Sequence, residues 1–116
     1  MELLKTESNY TKVFSVDEPG EGNACHQYVI GPSDVDDEEF CNINFQKGPI
    51  KENGVNGCQQ EDLLAIVIHR LEGFQSGDFA CIENAEALYH TKLALQYLNN
   101  RTKERQERGV EGLSKK

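Results

Sequence analysis

Three arginines, Arg101, Arg105 and Arg108, recur at i, i+4 and i+7 in the stretch RTKERQERGVEG. On an α-helix this spacing sets their side chains along one face. Guanidinium groups one turn apart are suited to bidentate contacts with a pyrophosphate or with two phosphates. The same stripe has a plainer explanation: cations near a helix C-terminus complement its dipole, and Arg101 can pair with Glu104, and Arg108 with Glu104 or Glu111. Spacing alone leaves both open.

The charge of the whole chain limits the partner. The formal net charge is -8, with 6 basic against 17 acidic residues in 1–100 and 6 against 3 in 101–116. A long polyanion would be repelled everywhere except at this stripe, so DNA and RNA polymers are poor partners. A small anionic ligand fits better.

Other chemistry-bearing residues are dispersed. Cys25, Cys41, Cys58 and Cys81 form no CxxC pair, and His26, His69 and His90 form no HxxxH or Cys/His pattern, so reduced thiols and no metal site are expected. The acidic run DVDDEE at 34–39 lacks the glycine and the closing glutamate of a calcium loop and reads as solvated. Gly54-Val-Asn-Gly57 ahead of a helix could cradle an anion but reads first as a plain connector, and Glu83 with Glu86 could serve as general acid and base but reads first as helix-surface solvation. No GxSxG, GxxxxGK[ST] or HExxH motif is present, which points away from catalysis. No stretch approaches the roughly 18 apolar residues of a membrane span, and the amino end has no basic region followed by an apolar run. The expectation is a cytoplasmic protein without membrane contact.

The elements that must position these residues are legible in two halves. Thr11–Val16, Ala24–Ile30 and Phe40–Gln46 carry β-branched and aromatic residues between turn-rich segments, predicting three antiparallel strands. From Gln60 the period changes. Leu63, Leu64, Val67, Ile68, Leu71 and Phe74 recur at three and four, predicting a helix that ends near Gly77. A second helix is predicted from about Ala80, uninterrupted to Gly109, with Cys81, Ala85, Leu88, Leu95 and Leu98 on its seam. The expected fold is therefore α+β: a small N-terminal antiparallel sheet, then an antiparallel helical hairpin with a long second helix. A single domain is expected over 1–116, β-rich at 10–46 and hairpin at 59–108, with tails at 1–9 and 109–116.

The run FQKGPIKENGVNGCQQEDLLAIVIHRLEGFQSGDFACIENAEAL, followed by LQYLNNRTKERQERGVEG, resembles the phage Thoeris anti-defence sponge family and the related phage sponges against cyclic-oligonucleotide immune signalling. The resemblance spans roughly Phe40 to Gly112. It implies a non-enzymatic, cofactor-free homo-oligomer, a dimer or a larger assembly up to a hexamer, that captures a cyclic nucleotide signal in an infected bacterium. In the Thoeris branch this signal is a glyco-cyclic ADP-ribose. The resemblance assigns Phe74 to adenine stacking, Asn84 to a hydrogen bond with the ligand, and Arg101 and Arg105 to its phosphates. Arg108 and Gly109 would belong to a second site for cyclic di- or trinucleotides. There the chain departs from the family's GVEGT ending, because Leu113 replaces a hydroxyl-bearing residue.

Helix geometry constrains this assignment independently. Arg101 lies seventeen residues beyond Asn84, about 25 Å along a helix at 1.5 Å per residue. One chain cannot close such a pocket, whereas a two-fold dimer with antiparallel long helices would bring the arginines of one copy to the hairpin turn of the other. The alternatives are a small phosphodiesterase or hydrolase of cyclic nucleotides, and a structural coiled-coil protein whose stripe is only a solvated helix end.

Overall fold

The computed structural model describes all residues, 1–116. Its elements in chain order are β1 (Glu2–Leu3), β2 (Thr11–Ser15), β3 (Gln27–Pro32), β4 (Cys41–Asn44), α1 (Ile50–Asn53), α2 (Gln60–Gln75) and α3 (Ile82–Glu107), with a single 3-10 turn at Glu21–Asn23. Two compact units result, Met1–Cys58 and Gln59–Lys116. The architecture is α+β, as the change of period predicts.

In the first unit the four strands form one antiparallel sheet in sequential order. The register opposes Val13 to Ile30 and Ser15 to Tyr28, and then Tyr28 to Ile43 and Ile30 to Cys41. These residues share one face. Tyr28 meets Phe45 edge to face, with centroids 5.7 Å apart. β3 starts later than the expected Ala24 because the Asp17 carboxylate accepts hydrogen bonds from the His26 and Gln27 backbone N–H groups at 3.0–3.1 Å. A side chain there takes the place of the first ladder contacts. β1, additional to the three expected strands, lies in the region expected as a tail and pairs Glu2 with Ser15 and Leu3 with Phe14.

The acidic 34–39 loop is tied to the opposite face. Lys12 Nζ donates to Asp36 Oδ1 at 2.8 Å, and a Cβ at Gly31 would sit 2.3 Å from the Glu38 carbonyl oxygen. Gly31 is therefore the residue that lets the loop pass so close to β3.

In the second unit α2 and α3 form the hairpin. A reciprocal capping box of Gln59 and Asp62 starts α2. Between the helices, Gln75 is bonded both ways to Cys81: its Nε2 donates to the Cys81 carbonyl at 3.2 Å and its Oε1 accepts from the Cys81 N–H at 3.0 Å. Leu63, Leu64, Ile68, Leu71 and Phe74 of α2 and Leu88, Thr91, Leu95 and Leu98 of α3 are half-buried. Cys81 and Ala85, expected on this seam, are exposed. Cys81 instead caps α3, its Sγ accepting the Asn84 N–H at 3.4 Å. With 26 residues against 16, α3 outruns α2 by ten, about 15 Å. No hydrophobic side chain is fully buried in either unit, and Ile66, Phe79, Ile82, Tyr89 and Tyr97 are each at least 59% exposed. No helix is long and apolar enough to cross a membrane.

Candidate ligand-binding site

The residues singled out in the sequence fall into two groups at opposite ends of α3. At the turn, Phe74 occupies the last turn of α2, half-buried, and the Arg70 guanidinium lies 4.9 Å from its ring centroid. Such a cation over an aromatic face stabilises both groups. Asn84, in the first turn of α3, is half-buried, and its Nδ2 donates to the Phe79 carbonyl at 3.4 Å. Its Oδ1 receives no hydrogen bond from the chain. An aromatic ring, a guanidinium and an oriented carboxamide thus stand at one end of the hairpin. This set can stack on a planar base and accept a hydrogen bond from it.

Arg70 was not among the residues expected from the sequence. The i, i+4 spacing of Arg70 and Phe74 was its available signal, hidden because an arginine on an amphipathic helix reads as ordinary solvation.

At the far end the three arginines have different fates. Arg101 is exposed and has no hydrogen-bond or ion-pair partner; the pairing with Glu104 open to it from spacing does not form. Glu104 is taken by Arg108, whose Nη1 also donates to the Lys116 main-chain oxygen at 2.8 Å. Arg105 is only 7% exposed. Its Nε donates to Glu111 Oε2 at 3.1 Å, Nη1 to the Lys115 carbonyl at 2.6 Å, and Nη2 to the Val110 and Leu113 carbonyls at 2.9 and 3.1 Å. The chain can turn back over Arg105 because Gly109 and Gly112 take φ values of 73° and 80°, where a side chain would be strained. Residues 109–116, expected as a tail, are therefore folded onto the helix end. Of the two arginines assigned to phosphates, only Arg101 presents a free guanidinium. Arg108 and Gly109, carried over as a second site, lie within the same turn.

The separation within one chain follows from the continuous helix. From Asn84 to Arg101 is about 25 Å at 1.5 Å per residue, with no break in α3 between them. The chain does not bring the two groups of residues together.

The sheet unit has a cavity of its own, about 330 Å³, lined by Asp17, His26, Gln27, Asn44, Phe45, Lys47 and Asn56. Burial would raise the Asp17 carboxyl, but the backbone hydrogen bonds from His26 and Gln27 outweigh it and hold the group below its ordinary value of 3.8. His26 Nδ1 lies 3.9 Å from Asp17 Oδ2, too far for a hydrogen bond, and has no other partner. No group of three or more His, Cys, Asp or Glu side chains converges as a metal site would require.

Comparison with known proteins bears on the hairpin. The family profile described as Acb2/Tad1, hairpin domain matches residues 37–103, a span that includes Phe74, Asn84 and Arg101 and stops short of Arg105. A protein of Bacillus phage SBSphiJ7 named Thoeris anti-defense 1 is 40% identical over 138 aligned positions, covering 99% of this chain and 96% of the relative.

Proposed function

This chain belongs to the Acb2/Tad1 family, and from that premise we propose that it is a phage anti-defence protein that sequesters a cyclic nucleotide signal without cleaving it. The ligand is of the cyclic ADP-ribose type, and the glyco-cyclic isomer is the first candidate. The observation that supports the reading is the position of Phe74 and Asn84 at one end of α3 and of Arg101 at the other. An aromatic ring and a carboxamide stand at the turn, and an unpartnered guanidinium stands at the overhang. Neither half suffices alone for a molecule bearing both a base and a pyrophosphate.

Two copies with antiparallel α3 helices complete the pocket. Phe74 and Asn84 of one copy face Arg101 of the other, and symmetry makes two equivalent sites. Adenine over Phe74 is worth about 1–3 kcal/mol, and a charge-assisted bond from Arg101 about 1.5–3 kcal/mol. Such a site retains a ligand by complementarity to its ground state, the opposite of what catalysis demands. Anti-defence activity would follow from lowering the free signal in the host cytoplasm below what its effector needs.

The reading is tested by incubating the purified protein with glyco-cyclic ADP-ribose, removing unbound material, heating to denature, and identifying what is released. Intact ligand supports sequestration; a linear or hydrolysed product would move the protein to the phosphodiesterase alternative. The paired substitution Phe74→Ala and Arg101→Ala should abolish retention. If it leaves retention intact, the pocket lies elsewhere.

A further inference from the structure

Arg105 is assigned by resemblance to a phosphate, yet its donors already have partners. Guanidinium carries five N–H groups. Four of them are directed at Glu111 and at the carbonyls of Val110, Leu113 and Lys115, leaving one Nη1–H. The backbone adds to the closure, with the Val110 N–H donating to the Arg105 carbonyl at 3.0 Å and the Leu113 N–H to the Val110 carbonyl at 3.1 Å. A second strap contact runs from Arg108 to Lys116.

Resting on the pocket reading above, we propose that residues 110–116 are an internal competitor for Arg105: a latch that occupies its guanidinium in the free protein and yields it to a ligand phosphate on binding. The chemistry favours exchange. Three of the four acceptors are neutral carbonyls, and a guanidinium bonds more strongly to an ionised phosphate oxygen than to a carbonyl. The remaining acceptor, the Glu111 carboxylate, is the one that sets the latch's strength, and at 3.1 Å it is the acceptor a substitution can weaken without touching the backbone. Arg101, four residues earlier, is already free to make the first phosphate contact, so the ligand is held one helical turn from Arg105 before the latch opens. Opening then adds a second guanidinium to the same phosphates.

Linkage makes the latch testable in both directions. If ligand and strap compete for Arg105, weakening the strap must tighten the ligand, and binding the ligand must loosen the strap. The experiment uses the full chain and its Glu111→Gln variant, with glyco-cyclic ADP-ribose and inorganic pyrophosphate as probes. Affinity is read by calorimetry, and the Val110 and Leu113 amides are followed by hydrogen exchange. Saturation with either probe should speed exchange of both amides at least tenfold, and Glu111→Gln should bind about three- to tenfold more tightly. A strap that keeps or gains protection on saturation, or a variant that binds no better, overturns the latch while leaving the pocket reading in place. Failure of both probes to bind either protein overturns the two together.

Discussion

Arg101 and Arg105 lie four residues apart on one helix, yet one guanidinium has no partner and the other carries four hydrogen bonds. Spacing cannot distinguish them, because their difference is made by where the chain turns after Gly109. Under the proposed function Arg101 makes the initial phosphate contact. Arg101→Ala should therefore weaken binding of glyco-cyclic ADP-ribose by about 10- to 150-fold, the equivalent of roughly 1.5–3 kcal/mol. An unchanged thermal midpoint would mark the loss as one of contact, since Arg101 supports nothing in its own chain. In the sheet unit, Asp17 carries a separate prediction. Its carboxyl titrates below its ordinary value of 3.8 when folded, so it contributes stability above that value and loses it as pH falls through the lower, folded one. Asp36 behaves likewise through its hydrogen bond and ion pair with Lys12. Asp17→Asn should flatten the acid limb of the unfolding curve below about pH 4, as followed by circular dichroism; an unaltered limb would mean that the His26 and Gln27 hydrogen bonds contribute no linkage.

The elements were the most legible level. The three- and four-residue recurrence from Leu63 to Phe74 identifies α2, and the uninterrupted run to Gly109 identifies α3, because amphipathic helices write their packing into local spacing. What escaped the sequence was chemistry made by side chains reaching across. Asp17 replaces the first ladder contacts of β3, Cys81 caps a helix instead of lining its seam, and β1 is a two-residue pairing too short to have a pattern. Gly109 was legible as a helix end but not as the pivot of a folded strap. With φ at 73°, Gly109→Ala should cost about 1–2 kcal/mol of hairpin stability, read from the denaturant midpoint. Loss of Val110 and Leu113 amide protection should accompany it. A variant with native midpoint and native exchange would show that the turn tolerates a side chain.

At the scale of the molecule, the informative fact is the missing core. Neither unit buries a hydrophobic side chain completely, while Ile66, Ile82, Tyr89 and Tyr97 expose most of their surface on the hairpin. Apolar surface left this open is normally covered by a partner. Under the proposed function that partner is a second copy of the chain. Tyr97, 71% exposed on α3, should lie in that contact. Tyr97→Ala, which puts no charge beside Arg101, should therefore shift sedimentation equilibrium toward the monomer and weaken ligand binding in parallel. An assembly that persists with normal binding would place the contact elsewhere. Residue types and spacing single out the arginines alone, and Phe74 and Asn84 enter the proposed site through the family resemblance. The need for a second copy follows from helix rise between Asn84 and Arg101, whereas the surface that would pair two copies is not written in the local spacing of one chain.

The central claim is that two copies share each pocket and hold the signal intact. Native mass spectrometry of the protein with glyco-cyclic ADP-ribose, followed by dissociation and mass analysis of the released ligand, tests it most directly. Ligand is expected on dimers or their multiples, one per chain, absent from monomers and released at unchanged mass. Ligand retained on a monomer, or released as a cleaved product, would contradict it.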